Sequence, residues 1–159
     1  MLITHRKALH SDLDLIDDIQ CRSFKPAFHE SKDVFAAIID KYPSGCFIIN
    51  HDDEAAGYLM SHPDYIGRDN YEQKRPLDGS ENALFIHDLC IDPEFQGKGI
   101  ASASVEFIEN FARSNNFNSI IGIAITEAQK FWVKHWFTMG HTHLYCGDDA
   151  RVMIKSHLI

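Results

Sequence analysis

The amino-acid sequence predicts an α/β (α+β) fold, with a central mixed, mostly antiparallel β-sheet of about seven strands flanked by about four helices. Three observations point there. Strand-like and helix-like segments follow one another in the order β-α-α-β-β-β-α-β-α-β-β. Some consecutive strands are joined by short polar turns that demand hairpins, while others are separated by helices that must cross over. The chain has 159 residues, 45% of them hydrophobic and 24% charged. That is enough to bury one core and too little for two, so residues 1–159 are read as a single domain without repeats or linkers.

Ile3 opens a short strand, and Ser11 stands where an N-cap would start the first helix. Leu15, Ile16 and Ile19 follow at helical spacing, and Pro26 closes the segment. Ser31 begins a second helix, whose stripe of Val34, Phe35, Ile38, Ile39 and Tyr42 reads as core packing, and Pro43 and Gly45 end it. Residues 46–50 and 56–60 flank the polar turn His51-Asp52-Asp53-Glu54, which predicts an antiparallel hairpin. Residues 61–82 are polar and broken by Pro63, Gly67, Pro76 and Gly79. They are expected to form a long loop that covers a site and offers Tyr65 and Tyr71 to an acceptor.

Residues 83–91 are too apolar for a half-exposed strand and are placed at the centre of the sheet. Their alternation slips: Leu84 and Ile86 are even-numbered, Leu89 and Ile91 odd-numbered. A bulge near His87-Asp88 accounts for the slip, and bulges often sit beside active sites. Residues 92–99 then lead into a helix with Ile100, Ser104, Phe107, Ile108 and Phe111 on one face. A strand over 119–126, a helix over 127–136 and strands near 142–146 and 151–156 complete the chain.

Fifteen Lys and Arg against 23 Asp and Glu leave a net charge of −8. With no basic stripe to displace counterions from phosphates, nucleic acid is not an expected partner. The surplus of acid suits a cationic substrate, or serves solubility alone. No apolar run approaches the roughly 20 residues that a bilayer crossing needs, so no membrane is expected either. Residues 1–14 lack the apolar stretch of a secretory signal, and a cytoplasmic location is expected. Cys21, Cys46, Cys90 and Cys146 form no CxxC pair, which argues against a zinc ribbon or a redox pair. His141 and His143 would share a strand face, but a third ligand is not evident and no metal is expected.

One segment carries chemistry. A strand, the residues Gln96-Gly97-Lys98-Gly99-Ile100-Ala101 and a helix follow one another. Two glycines permit close backbone approach, and the first N–H groups of a helix have no partner inside it. With the helix dipole and Lys98 they make either a phosphate cradle or a plain tight turn. A Walker A loop does not fit, because Gly99 follows Lys98 where Ser or Thr is needed. A dinucleotide fingerprint does not fit either, since Ser102 takes the third glycine's place and residues 112–126 hold no acid.

The pattern Gln96-x-x-Gly99-x-Ala101 resembles the [Gln/Arg]-x-x-Gly-x-[Gly/Ala] loop of the GNAT-type N-acetyltransferase superfamily. The run LFIHDLCIDPEF upstream and Ala128-x-x-Phe131-Trp132-x-x-x-Trp136-Phe137 downstream are similar to that superfamily too. So are the hairpin ending Gly57-Tyr58-Leu59-Met60-Ser61-His62-Pro63 and the order of elements, so that the resemblance covers nearly the whole chain. It implies acetyl-CoA, or a related acyl-CoA, as co-substrate. Backbone N–H groups of Gln96, Gly97, Lys98, Gly99, Ile100 and Ala101 would hold its pyrophosphate. Main chain at Leu89, Cys90 and Ile91 would pair with the pantetheine arm and polarise the thioester carbonyl. Phe131 and Trp132 would flank the pantetheine and thiol end, with core packing open to both aromatics and not excluding that contact. The implied reaction transfers an acetyl group to a primary amine, on a small molecule or a peptide, by direct attack in a ternary complex. Family members are often dimers, which leaves a homodimer open.

Two residues depart from the family pattern. Trp132 stands where many members carry the Tyr that protonates the leaving thiolate, and Trp136 replaces the usual Gly. Tyr145 is a substitute acid, and His87 and Asp88 are the candidate bases for the attacking amine. A sheet histidine and a backbone-capping carboxylate are the structural roles open to the latter two. Cys90 has no histidine beside it in an activating pattern, so an acyl-enzyme is not expected. The missing acid leaves one alternative function, a non-catalytic acyl-CoA-binding regulatory or sensor module.

Overall fold

The computed structural model describes residues 2–67, 75–156 and 158, without the side chains of residues 143 and 144. Seven strands form one sheet: β1 (Ile3–Lys7), β2 (Cys46–His51), β3 (Glu54–Asp64), β4 (Ala83–Ile91), β5 (Ser119–Ala124), β6 (Thr138–Tyr145) and β7 (Asp148–Ser156). Their spatial order is β1-β2-β3-β4-β5-β7-β6. Only β4 and β5 run parallel, and the other neighbours are antiparallel. The chain between β4 and β5 contains the 15-residue helix α3 (Ile100–Ser114), and a parallel neighbour requires a crossover of that kind.

Alternate strand residues feed two apolar layers. On one face, Ile16 and Ile19 of α1 (Leu13–Ser23) and Phe35 and Ile38 of α2 (Lys32–Lys41) bury Ile48, Tyr58, Met60 and Cys90. On the other, Ile100, Val105, Ile108 and Ala112 of α3 bury Phe47, Ile49, Leu59, Leu84, Ile86 and Ile120. Phe131 and Trp132 of α4 (Gln129–Lys134) pack against this second layer. Covering both faces explains why β2 and the middle of β3 are buried along consecutive residues.

Several boundaries differ from expectation. A 3₁₀ turn over His10–Asp12 precedes α1, so the N-cap position expected at Ser11 falls to Asp12, whose side chain makes no cap hydrogen bond to the helix. Its Oδ2 accepts from the Leu9 N–H at 2.8 Å, and both its oxygens take Arg6 guanidinium hydrogens at 2.8 Å. Ser31 is the N-cap residue of α2, yet its side chain makes no cap hydrogen bond. The expected loop over 61–82 starts late, because β3 runs on to Asp64. Pro63 is tolerated there because β2 stops pairing at Cys46↔Met60, so no β2 residue needs a hydrogen bond from position 63. Tyr65 donates to Asp78 Oδ1 at 2.7 Å, and Tyr71 lies outside the described residues. The helix expected over 127–136 divides into a 3₁₀ turn, Thr126–Ala128, and the six-residue α4. Among the described residues no helix is long and apolar enough to cross a membrane. Nor do three or more His, Cys, Asp or Glu among them gather as a metal site would need.

Candidate active site

The site is built on β4. This strand pairs with β5 only from Ala83↔Ser119 to Ile86↔Gly122, so residues 87–91 keep an edge free of β5. On its other edge the register with β3 skips His87: Met60 faces Asp88, and Ser61 faces Ile86. His87 is therefore the extra residue of a β-bulge, and the bulge returns Leu89 and Ile91 to the layer that holds Leu84 and Ile86. The slip in alternation lies where residue parity placed it.

Below the free edge, Gly97 and Gly99 adopt φ +79° and +77°, left-handed values that cost glycine nothing. Gly99 is the N-cap residue of α3, whose first N–H groups have no intrahelical partner and carry the positive end of the helix dipole. A Cβ added at either glycine would meet nothing within 4 Å, so open space fronts the loop. A cavity of about 340 Å³ runs there, lined by residues 89–91 of β4 and by Gln96, Gly97, Gly99, Ile100 and Ala101. Lys98 is exposed and does not line it. Phe24 and Leu89 also line a second cavity of about 330 Å³, which enters the fork between β4 and β5.

Four titratable side chains, Glu30, His87, Asp88 and Tyr145, line the second cavity. His87 Nε2 lies 2.6 Å from Glu30 Oε2, and Tyr145 donates to Glu30 Oε1 at 3.5 Å. Tyr58 donates to Asp88 Oδ2 at 2.6 Å. Asp88 sits deep in the molecule but opens to the cavity, and burial raises its carboxyl to about 6 even though the Tyr58 hydrogen bond works the other way. Burial, reinforced by the Glu30 charge, raises the Tyr145 phenol. The Cys90 thiol is pushed up to about 12, chiefly by burial. Phe24, Phe28 and Trp132 supply apolar walls, with Phe28 stacked on Tyr145 at 5.9 Å between ring centroids. Carboxylates among aromatic rings can bind a cation, and an imidazole held by a carboxylate can take a proton.

The sequence profile of the acetyltransferase (GNAT) family matches residues 13–137. The chain belongs to the GNAT acetyltransferase family. Among curated proteins, no sequence matches this GNAT chain. Its fold superposes on the loading GNATL domain of CurA from Lyngbya majuscula with a TM-score of 0.85, at 13% identity, over 99% of this chain and 98% of that one. The GphF GNAT-like decarboxylase in complex with isobutyryl-CoA gives 0.81 at 18% identity, over 98% and 100%. Ribosomal-protein-S18-alanine N-acetyltransferase from Escherichia coli gives 0.72 at 14% identity, over 99% and 96%. At such identities the likeness is one of fold.

Of the residues expected in the site of this GNAT-family chain, His87, Asp88 and Tyr145 meet at one cavity, and Trp132 lines it from α4. Phe131 lines neither cavity; its ring lies 4.6 Å from that of His135. Trp136 closes α4 in a Schellman motif. Its N–H donates to Val133 O at 3.0 Å, the Phe137 N–H donates to Trp132 O at 3.1 Å, and the Phe137 and Trp132 rings pack at 5.0 Å. The residue after the helix end must be left-handed in this motif, and Trp136 is, at φ +70°. Sequence reasoning missed Glu30 and Tyr58. Glu30 falls in an aperiodic stretch between Pro26 and Ser31, and Tyr58 is hidden in an apolar strand, so neither carries a pattern that ties it to β4.

Proposed function

We propose that this chain transfers an acetyl group from acetyl-CoA to a primary amine by direct attack within a ternary complex. The observation that carries the reading is the pair of neighbouring cavities that share Phe24 and Leu89 as wall residues. One lies against the glycine loop and the α3 N-terminus, the other ends among Glu30, His87 and Asp88. The first suits a pyrophosphate and the start of a pantetheine arm, the second a thioester and a cationic acceptor. PaiA N-acetyltransferase from Thermoplasma acidophilum, in complex with coenzyme A, shares the fold at a TM-score of 0.74.

In this reading the amides of Gln96 to Ala101 hold the pyrophosphate. Main chain of Leu89, Cys90 and Ile91, on the edge free of β5, pairs with pantetheine. One N–H there polarises the thioester carbonyl, a kind of donor whose loss typically costs about 3 kcal/mol. Glu30 draws in the ammonium group, and His87 takes the proton that the amine must lose before it attacks. Asp88, with its carboxyl near 6, is a second base. Tyr145 holds Glu30; its raised phenol makes proton donation to a thiolate uphill. The thiolate leaves unassisted, its conjugate thiol having a pKa of about 8.5. A Cys90 thiol near 12 is no nucleophile, which favours direct transfer. Decarboxylation of a carboxyacyl group is disfavoured, since two carboxylates and no Lys or Arg line the second cavity among the described residues.

The test is release of free CoA from acetyl-CoA over a panel of amines. Turnover is expected with a cationic amine, and His87→Gln is expected to lower kcat by about 10²-fold or more. Binding of acetyl-CoA without CoA release for any amine would leave the non-catalytic acyl-CoA-binding module as the function.

A further inference from the structure

Two buried imidazole nitrogens beside the site, Nε2 of His62 and Nδ1 of His87, have no hydrogen-bond partner among the described residues. His62 is wholly buried on β3, opposite Phe85, with its ring 5.2 Å from the Phe85 ring. Its ring centre lies 6.3 Å from that of His87, with the planes inclined by 43°. The other nitrogen of each ring faces a group that can only accept. His62 Nδ1 is 3.1 Å from the Pro63 carbonyl, and His87 Nε2 is 2.6 Å from the Glu30 carboxylate, so both carry the N–H and donate. In the neutral rings the two remaining nitrogens are both bare lone pairs. Leaving either unsatisfied in a buried place costs about 1–3 kcal/mol.

Two lone pairs cannot bond one another, and the spacing agrees. A direct N–H···N bond would bring the ring centres within about 5 Å, whereas one bridging water lets them stand as much as about 8 Å apart. The bridge must offer two hydrogens, and water does. His62 remains an acceptor throughout, because burial lowers its ring to about 3 and the Lys41 charge works in the same direction. Facing His87 are Glu30 from the segment before α2, Tyr145 of β6 through Glu30, Asp88 on its own strand, and His62 of β3.

We infer that one water is held between His62 Nε2 and His87 Nδ1, and that His62 is a positioning residue which lets His87 change its protonation state inside the fold. The inference rests on the proposed role of His87 in taking the amine's proton. With His87 neutral, the water donates one hydrogen to each nitrogen. As the amine reacts, an ammonium N–H bond breaks and its proton enters the bridging water, which passes one of its own hydrogens to His87 Nδ1. The water then accepts from the new Nδ1–H and still donates to His62. In both states each imidazole nitrogen keeps a hydrogen bond, and the proton leaves to solvent when the ring resets.

A high-resolution crystal structure and nitrogen-15 NMR of the histidine rings test this on the whole chain. Density for one water within reach of both nitrogens is expected, with His62 in its Nδ1–H tautomer. His62→Phe keeps the ring packing against Phe85. It is expected to change the His87 ring signals and to lower kcat roughly tenfold, less than the 10²–10⁴ of a base itself, with the acetyl-CoA KM unchanged. His62→Gln restores an acceptor and is expected to regain most of that loss. Absence of the water, a His62 in the Nε2–H tautomer, or a His62→Phe variant with wild-type kcat and His87 signals would each overturn the inference. If no amine is acetylated, the proposed function fails while the density and the tautomers still decide the water.

Discussion

Asp88 keeps its proton to a pH at which an ordinary carboxyl has lost it, because its burial beside β3 outweighs the Tyr58 hydrogen bond, which favours the ionised form. Unfolded, it would titrate near 3.9, whereas folded it titrates at about 6. Between those values the folded chain holds a proton that the unfolded chain has released. The contribution of Asp88 to stability is therefore greatest below about 4 and declines as pH rises to about 6. Asp88→Asn keeps an acceptor for Tyr58 and removes the titration. It is expected to be more stable than the parent at pH 7.5 by about 1–2 kcal/mol, discounted for the cavity's water, and no more stable near pH 4. Thermal melts at the two pH values check this. Trp136 presents the opposite case, strain without burial. It holds a left-handed conformation that costs an L-residue about 1–2 kcal/mol, yet it is 83% exposed. Trp136→Gly is expected to raise Tm by about 2–4 °C with acetyl-CoA binding unchanged. A lower Tm would mean that the indole's contacts outweigh the strain.

At the scale of elements, β4 and the loop after it divide the labour between fold and ligand, and two glycines separate the two jobs. A Cβ at Gly57 of β3 would lie 2.3 Å from the Cys90 carbonyl oxygen, so that glycine serves the close approach of β3 to β4. A Cβ at Gly99 would meet nothing, so that glycine serves the turn and whatever lies in front of it. Gly57→Ala is expected to destabilise the fold strongly. Gly99→Ala is expected to cost about 1 kcal/mol of stability through its backbone alone, but to weaken acetyl-CoA binding by an order of magnitude or more. Calorimetric titration alongside thermal melts separates the two effects. The β4 bulge was legible because strand side chains alternate with period two, so one extra residue leaves a visible change of parity. The continuation of β3 through Pro63 was not legible, since it depends on where the neighbouring strand β2 stops.

For the whole molecule, the two cavities that share Phe24 and Leu89 as wall residues predict a co-substrate large enough to span from the α3 N-terminus to the fork of the sheet. A ligand at 100 times its Kd adds roughly 2.7 kcal/mol, and each kcal/mol is worth about 2–4 °C in a domain of this size. Acetyl-CoA and CoA are expected to raise Tm by roughly 5–10 °C, and NADH to leave it unchanged. No shift with acetyl-CoA would remove the donor from the proposed function. Local patterns in the sequence determined the number and order of strands and helices, the central place of β4, its bulge and the glycine loop. Each depends on spacing between near neighbours along the chain: period two, period 3.6, or a glycine where the backbone turns. The chemistry at the end of the fork was decided only by tertiary structure. Glu30 reaches His87, Tyr58 reaches Asp88 and His62 comes beside His87 because the order β2-β3-β4 and the packing of α1 and α2 bring them there. Contacts between residues far apart in the chain leave no periodicity behind, so burial, tautomer and proton affinity in this cluster emerge only once the sheet has formed.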